Sequence, residues 1–318
     1  MIPLRFQSEY GAVVLGDGPF ALKAMDFFIQ VGIAVRLFVP RSSGVDQALK
    51  AFCSDKAIKL AEHTKAETDD LYNEMKSLEP DFLICASFDR ILPRRLIELP
   101  KVAALNIHAA PLPRYRGGSP LNWQLIAGEN HIVLTIHYMK IKVDSGNILA
   151  QIHIPLSSDD NYSSVIEKTS NTVPEAMLIA VTKAIAGDPG RPMDPNKGFY
   201  LPRRKPGDEF LDWNWSAQTI FDFVRALAHP GPFASTFYND KILSFGNASL
   251  EYKESFVGIP GTVLALSRNE GWIVVKCADS AIKLGNILPQ ELFEQIKVGD
   301  RLGVNLNLLW KKLLERKS

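Results

Sequence analysis

The first half of the chain alternates short apolar runs with segments of helical periodicity, and no other feature constrains the fold as much. The predicted strands are residues 12–15, 34–39 and 81–86, and the predicted helices between them are residues 19–30 and 67–78. Strands that are apolar throughout indicate a parallel sheet with both faces covered, and such sheets bind ligands at the carboxyl ends of their strands. The sequence therefore predicts an α/β fold built on a mostly parallel sheet.

The chain changes character near residue 187, which predicts a second and smaller domain. Before that point, a helical pattern at 163–186 contains Pro174, which must kink or divide the helix. The stretch 187–205 is rich in Pro, Gly and Arg, as linkers are. We therefore expect two domains, 1–204 and 205–318.

The second domain combines one amphipathic helix with several short β patterns. Residues 217–228 place their apolar side chains on one helix face, and a basic amphipathic stretch at 308–317 predicts a terminal helix. The β patterns lie at 235–238, 242–245, 262–266, 272–277 and 281–284. A small barrel of the OB type is the architecture that this pattern favours.

Composition narrows the class of protein and of partner. The 318 residues suffice for two domains of ordinary size, and the formal charge of +1 gives no reason to expect a polyanionic partner such as a nucleic acid. The cysteines, Cys53, Cys85 and Cys277, are too widely spaced for a disulfide framework or a zinc knuckle. Without an apolar signal segment or a membrane-length apolar run, a cytoplasmic protein that does not contact membranes is expected.

An early glycine-containing loop raises the alternative of a dinucleotide site. Gly16, Gly18 and Ala21 follow a predicted strand and fit G-x-G-x-x-A, but no acidic residue stands at the end of the next strand, where Arg41 lies. A tight strand-to-helix turn explains the same residues. The hypothesis that the protein is a nucleotide-binding oxidoreductase therefore rests on this loop alone.

Three polar residues point to chemistry. If residues 103–107 form a strand, Asn106 and His108 leave its end on the same side, which places an amide donor beside a titratable imidazole. Asp144 follows a second apolar stretch, 132–139, and a loop there could bring its carboxylate to the histidine. Together these groups can stabilise a tetrahedral oxyanion. The remaining histidines are interpreted as structural or surface residues: His63, His131, His137, His153 and His229.

Several motifs resemble one family when they are taken as a set. These are Asn106-Ile107-His108, the run Pro111-Leu112-Pro113-Arg114-Tyr115-Arg116-Gly117 and Asp144-Ser145-Gly146. They resemble the 10-formyltetrahydrofolate-dependent formyltransferases, the family of methionyl-tRNA formyltransferase. The resemblance runs through nearly the whole chain and implies a Rossmann-like domain that carries the site, followed by an OB-like domain.

The resemblance also implies a mechanism. A neutral amine attacks the formyl carbon, protonated His108 and the Asn106 amide donate to the formyl oxygen, and Asp144 holds the imidazolium and helps to take the amine proton. Preorganised donors of this kind are worth about 3 kcal/mol each in comparable sites. No metal is needed, because His108 and Asn106 supply the electrophilic assistance.

Further site residues follow from the resemblance. The expected folate-binding residues are Ser87, Phe88, Ile91, Leu92, Pro93 and Val143. The expected acceptor-binding residues are Arg114, Tyr115, Arg116 and Asn122, although the two arginines could equally pair with surface carboxylates.

The sequence leaves several acceptors of the formyl group open. Pro120-Leu121-Asn122-Trp123 and the run 203–213 look like segments of the UDP-aminoarabinose formyltransferase and related sugar-nucleotide enzymes, so a nucleotide-linked amino sugar is the favoured acceptor. The UDP-aminoarabinose formyltransferase has an Arg at the position where this sequence has Gly118. Formylation of an amino acid, a siderophore precursor or methionyl-tRNA stays an alternative, as do a hydrolase and a non-catalytic binding module. The oligomeric state cannot be inferred from the sequence.

Overall fold

The computed structural model describes residues 6, 9–61, 68–252 and 254–303. The strands in chain order are β1 (Gly11–Gly16), β2 (Ala34–Pro40), β3 (Lys59–Leu60), β4 (Phe82–Ala86), β5 (Ala103–His108), β6 (Arg116–Gly117), β7 (His131–Tyr138), β8 (Ile148–Pro155), β9 (Tyr200–Leu201), β10 (Ala234–Tyr238), β11 (Lys241–Ser249), β12 (Val263–Ser267), β13 (Trp272–Lys276) and β14 (Ala281–Leu288). The helices are α1 (Gly18–Gln30), α2 (Gln47–Asp55), α3 (Asp69–Ser77), α4 (Arg94–Ile97), α5 (Pro120–Ile126), α6 (Tyr162–Ile185), α7 (Ala217–Leu227) and α8 (Gln290–Phe293), with a 3₁₀ turn at Pro195–Lys197.

The chain divides into two compact units. The first is formed by residues up to Pro120 together with His131–Leu156 and Ile166–Arg203, and the second by Leu121–Asn130, Ser157–Val165 and the residues from Arg204 onward. Two short segments that precede residue 204 therefore group with the second unit. A single domain boundary after residue 204 remains our proposal.

The first unit contains a seven-stranded sheet with the strand order β3-β2-β1-β4-β5-β7-β8. The strands from β3 to β5 in this order pair in parallel, whereas β7 and β8 pair antiparallel to their neighbours. Every residue of β1 and β4 is buried, as expected for central strands covered on both faces. The predicted α/β architecture with a Rossmann-like, mostly parallel sheet is confirmed.

The glycine-containing turn between β1 and α1 has a structural explanation. A Cβ on Gly16 would lie 1.9 Å from the carbonyl oxygen of Ala86, and Gly18 has a φ of +60°. The guanidinium of Arg41 contacts the Asp17 carboxylate at 3.4 Å and donates a hydrogen bond to the Ser87 carbonyl. Close strand packing and a left-handed residue therefore account for both glycines without a dinucleotide.

Helix α6 contains the proline that was expected to kink or divide it. It runs for 24 residues with Pro174 inside it, so the proline does not divide the helix. A proline in a helix interior costs about 3 kcal/mol. Side chains on both sides of the proline are fully buried, including Val173, Ala176 and Met177, and this packing offsets the cost.

The second unit contains an antiparallel five-stranded sheet with the order β10-β11-β14-β13-β12, which confirms the predicted small β domain. Asn239 and Asp240 join β10 to β11 and both have positive φ, as a two-residue hairpin turn requires. Ser216 caps α7 by accepting a hydrogen bond from the Thr219 amide. The predicted terminal helix at 308–317 lies outside the described residues. Within those residues, no helix combines the length and apolar character needed to cross a membrane.

Candidate active site

A cluster of four side chains forms where β5 and β7 pair. Asn106 and His108 leave β5 on the same face, and the antiparallel register places His137 directly opposite Asn106. The loop after β7 carries Asp144 back to these residues. The side chains of His108, His137 and Asp144 are buried, with residue exposures of 6%, 1% and 7%. The structure places Asn106, His108 and Asp144 together, and the roles expected of them stay predictions.

The carboxylate of Asp144 is at the centre of the cluster. Its Oδ1 accepts a hydrogen bond from Asn106 Nδ2 at 3.1 Å and lies 3.6 Å from His137 Nε2. Its Oδ2 accepts from the Gly117 amide at 2.8 Å and lies 3.7 Å from His108 Nδ1. Both carboxylate oxygens therefore face donors, as a buried charge requires.

These donors outweigh the cost of burying the charge. Burial acts to raise the pKa of Asp144, but His108, His137 and the Gly117 amide together hold that pKa well below its ordinary value. The nearby thiol of Cys85, which is paired with Asn106 in the sheet register, has a pKa raised to about 12 by burial first and by Asp144 second. The site thus contains a fixed carboxylate and a protonated thiol.

The Asp-x-Gly spacing follows from the path of the loop. Asp144 has a φ of +47°, a left-handed conformation that Asp tolerates better than most residues. A Cβ on Gly146 would lie 1.7 Å from the carbonyl oxygen of Tyr138, at the end of β7. Only a glycine therefore lets the loop pass this close to the strand and return the carboxylate to the cluster.

The ring of His108 contacts different acceptors through its two nitrogens. Nε2 lies 2.9 Å from the carbonyl oxygen of Tyr115, a residue with a φ of +55°. That carbonyl can only accept, so a proton lies on Nε2. Nδ1 faces Asp144 at 3.7 Å, which is longer than a hydrogen bond. Nδ1 is therefore directed at the carboxylate without forming a hydrogen bond to it.

The expected folate-binding residues lie on two segments that flank one cavity. Ser87, Phe88, Ile91, Leu92 and Pro93 connect β4 to α4, and Val143 precedes Asp144. Leu92 is buried in the core of the sheet and Phe88 packs against that core, whereas Ile91 and Val143 are 68% and 38% exposed.

The cavity has a volume of about 560 Å³, within the range of small-molecule sites. Its lining includes Arg94, Ile97, Ala104, Met139, Lys142 and Ser145. Ala104 lies two residues before Asn106 on the same face of β5, and Ser145 follows Asp144. The cavity therefore adjoins the polar cluster, although the folate-binding residues named from the sequence are its neighbours rather than its lining.

The expected acceptor-binding residues have different surroundings. Arg114 is exposed and its guanidinium lies 5.1 Å from the centre of the Tyr115 ring, while Tyr115 itself is buried. Arg116 is buried and lies 4.2 Å above the ring of Tyr200. Asn122 groups with the second unit, where its amide is buried and donates to the Ala226 carbonyl at 2.7 Å. Tyr115 and Arg116 lie in the segment that contacts His108 and Asp144.

Two features of the site were not expected from the sequence. His137 was interpreted as a structural or surface residue, and its buried position in contact with Asn106 and Asp144 excludes the surface position. A histidine inside an otherwise apolar stretch, followed by Asp-x-Gly, is the signal that could have identified it. The Gly117 amide has no side-chain signal at all. The described residues contain no His, Cys, Asp and Glu cluster suited to a metal ion, and His63 lies outside them.

Two family models match the chain. One, described as formyl transferase, matches residues 13–181, and the other, described as formyl transferase, C-terminal domain, matches residues 203–292. A methionyl-tRNA formyltransferase of Halalkalibacterium halodurans is 35% identical over 217 residues, which are 67% of this chain and 67% of that protein.

Solved structures share the fold. HypX from Aquifex aeolicus, in complex with tetrahydrofolic acid, has a TM-score of 0.62 at 21% identity over 92% of this chain, which spans about half of HypX (49%). WlaRD, a sugar 3N-formyl transferase in the presence of dTDP and 5-N-formyl-THF, has a TM-score of 0.63 at 17% identity, covering 87% of this chain and 98% of that one. At these identities, both likenesses concern the fold.

Proposed function

We propose that this chain, a formyltransferase that belongs to the formyl transferase family, transfers the formyl group of 10-formyltetrahydrofolate to an amine. The observation that carries the proposal is the Asp144 carboxylate, which is fixed between Asn106, His108 and His137 beside a cavity large enough for a small molecule. A carboxylate, an amide and an imidazole in this arrangement suit a reaction that develops negative charge on oxygen and releases a proton.

The cavity supports the donor site. Apolar side chains such as Ile97 and Met139 line it, and Lys140 and Lys142 add positive charge at the same site, where Arg94 is paired with Glu98. A flat, partly apolar molecule with a carboxylate tail suits such a lining. The names of HypX in complex with tetrahydrofolic acid and of WlaRD with 5-N-formyl-THF describe folate in proteins of the same fold.

The cluster residues take separate roles in the transfer. The acceptor nitrogen forms a bond to the formyl carbon, and the carbonyl electron pair moves to the formyl oxygen, which Asn106 Nδ2 and His108 Nδ1 stabilise by donating hydrogen bonds. Asp144 accepts the proton of the amine, directly or through water. The bond from the formyl carbon to the folate nitrogen then breaks, and that nitrogen takes up a proton, so that tetrahydrofolate and a formamide are released.

We propose a nucleotide-linked amino sugar as the acceptor. The formal charge of +1 and the short turn after β2, whose Arg41 is engaged with Asp17 and Ser87, provide little positive surface for a polyanion. Arg114 is exposed, and its guanidinium is the group that we assign to a phosphate of such an acceptor. WlaRD, whose name describes a sugar formyltransferase, shares the fold over nearly its whole length.

Methionyl-tRNA is the second candidate, because the relatives with 35% identity carry that name. It would require a nucleic-acid surface. Small-molecule partners and a cytoplasmic location remain part of the proposal; the three buried cysteines are free thiols, as expected in a reducing compartment.

Equilibrium binding of 5-formyltetrahydrofolate tests the donor site. Wild type should bind it, and Ala104→Phe, which places a ring in the cavity, should weaken binding at least tenfold, whereas Ala186→Phe at an exposed position should not. His108→Ala should still bind the folate. Absence of binding to wild type, or equal binding by Ala104→Phe, would refute the assignment of this cavity.

A further inference from the structure

A segment distant in the chain pairs with the short strand whose Gly117 amide donates to Asp144. Strand β9 follows the 3₁₀ turn and pairs in parallel with β6, the short strand Arg116–Gly117. The Arg116 amide donates to the Phe199 carbonyl at 3.1 Å, and the Gly118 amide donates to the Leu201 carbonyl at 3.0 Å. Between these two bonds, the Gly117 amide points the other way and donates to Asp144.

Tyr200 in β9 contacts both segments that position the Asp144 carboxylate. Its hydroxyl donates to the Val143 carbonyl at 2.8 Å, directly before Asp144 in the chain. Its ring lies 4.2 Å from the guanidinium of Arg116, directly before Gly117. One side chain thus joins the loop that carries the carboxylate to the strand that donates to it.

This connection matters because Asp144 has an unfavourable backbone conformation. Asp144 has a positive φ, which residues other than glycine keep when the surrounding structure holds them there. The hydrogen bond to Val143 fixes the peptide next to Asp144, and the stacked Arg116 fixes the peptide next to Gly117. Both ends of the Gly117–Asp144 hydrogen bond therefore depend on Tyr200.

We propose that Tyr200 is a positioning residue that holds the Asp144 carboxylate against the Gly117 amide. Its effect on catalysis rests on the proposed formyl transfer, whereas its effect on the Gly117–Asp144 bond does not. Tyr200→Phe removes the hydroxyl but keeps the ring on Arg116, and Tyr200→Leu removes both contacts. Tyr252→Phe is the matched control, because Tyr252 is 42% exposed and Tyr200 is 43% exposed.

Amide hydrogen exchange at Gly117, followed by NMR, tests the structural part without any assay of activity. We expect exchange at Gly117 to be about tenfold faster in Tyr200→Phe than in wild type, faster again in Tyr200→Leu, and unchanged in Tyr252→Phe. The Arg116 and Gly118 amides, which donate to β9 carbonyls, serve as internal references in Tyr200→Phe. Unchanged exchange at Gly117 would overturn the proposal.

A double-mutant cycle with Asp144→Asn tests the catalytic part. In the wild-type background, Tyr200→Phe should lower kcat about tenfold and leave KM for both substrates within twofold of the wild-type value. In the Asp144→Asn background, it should not change kcat any further. Equal losses in both backgrounds would mean that Tyr200 acts without Asp144 and would overturn the proposal. If wild type transfers no formyl group, the proposed function fails, and the exchange at Gly117 still decides the role of Tyr200.

Discussion

Asn106 and His137 are direct cross-strand neighbours, and Asn106 Nδ2 lies 3.1 Å from His137 Nε2. The other nitrogen of His137, Nδ1, lies 2.7 Å from the Tyr138 carbonyl and must therefore carry a proton. His137 Nε2 also lies 3.6 Å from Asp144 Oδ1, the oxygen that accepts one amide hydrogen of Asn106. His137 thus fixes the orientation of the amide that we assign to the formyl oxygen.

Replacing His137 should slow formyl transfer without preventing folding. In His137→Ala, the Asn106 amide loses its contact with the imidazole and rotates more freely, so we expect kcat to fall about tenfold. His137→Gln offers a polar amide in place of the imidazole and should recover part of the rate. His153→Ala removes an exposed histidine from β8 and is the control. Equal rates for His137→Ala and His153→Ala would contradict the role given to His137.

Asp144→Asn should lower kcat more than any other conservative substitution in the cluster. The amide cannot accept the amine proton and cannot stabilise a cation on His108, and loss of such a group lowers rates about 10²- to 10⁴-fold. Steady-state kinetics on Asp144→Asn and on Asp159→Asn, an exposed aspartate, make the comparison. A loss of less than tenfold in Asp144→Asn would argue against its role in proton transfer.

The stability of the protein should depend on Asp144 in a defined pH range. The pKa of this group is lowered on folding from its ordinary value of 3.8, so its ionised form stabilises the native state above that value, and this contribution declines as the pH falls further. The free energy of unfolding of the wild type should therefore exceed that of Asp144→Asn at neutral pH. Below pH 3.8, the difference should shrink by about 1.4 kcal/mol per pH unit. Chemical denaturation between pH 7 and pH 3 measures this, and a difference that grows on acidification would contradict it.

Gly146→Ala should displace the Asp144 loop. Its Cβ would meet the Tyr138 carbonyl oxygen at 1.7 Å, so the backbone must move, at a cost of about 1–3 kcal/mol in stability. Gly271→Ala is the control, because Gly271 has a φ of +70° but no atom within 4 Å of the added Cβ, and only backbone strain of about 1 kcal/mol is expected. The midpoint temperature of thermal unfolding and kcat should both fall in Gly146→Ala, whereas Gly271→Ala should keep the wild-type kcat. A Gly146→Ala variant with unchanged kcat would show that the loop tolerates the shift.

The features that could be predicted from sequence are those that depend on local periodicity or on motif residues. Strands β1 and β4 are apolar throughout, β2 is apolar except for Arg36, and all three were expected within a residue or two. The proximity of Asn106 and His108 follows from strand geometry. The contacts of His137 and Tyr200 depend on pairing between segments distant in the chain, β5 with β7 and β6 with β9, which periodicity does not report.

Other differences have equally physical causes. Pro174 remains inside α6 because buried side chains compensate for its lost hydrogen bond, a tertiary effect. The hydrogen bond from Asn122 to the Ala226 carbonyl likewise joins residues that are over one hundred positions apart. Neither could be inferred from the neighbouring sequence.

Acceptor-dependent release of tetrahydrofolate from 10-formyltetrahydrofolate tests the central claim most directly. UDP-aminoarabinose, other nucleotide-linked amino sugars, hydroxyornithine, free amino acids and methionyl-tRNA would be offered separately to wild type and to His108→Ala. We predict release with a nucleotide-linked amino sugar, accompanied by its formamide, and a loss of at least a hundredfold in His108→Ala. Release with methionyl-tRNA alone would contradict the proposed acceptor, and release without any acceptor would indicate a hydrolase. Absence of release with every acceptor, or full activity of His108→Ala, would contradict the account of the site.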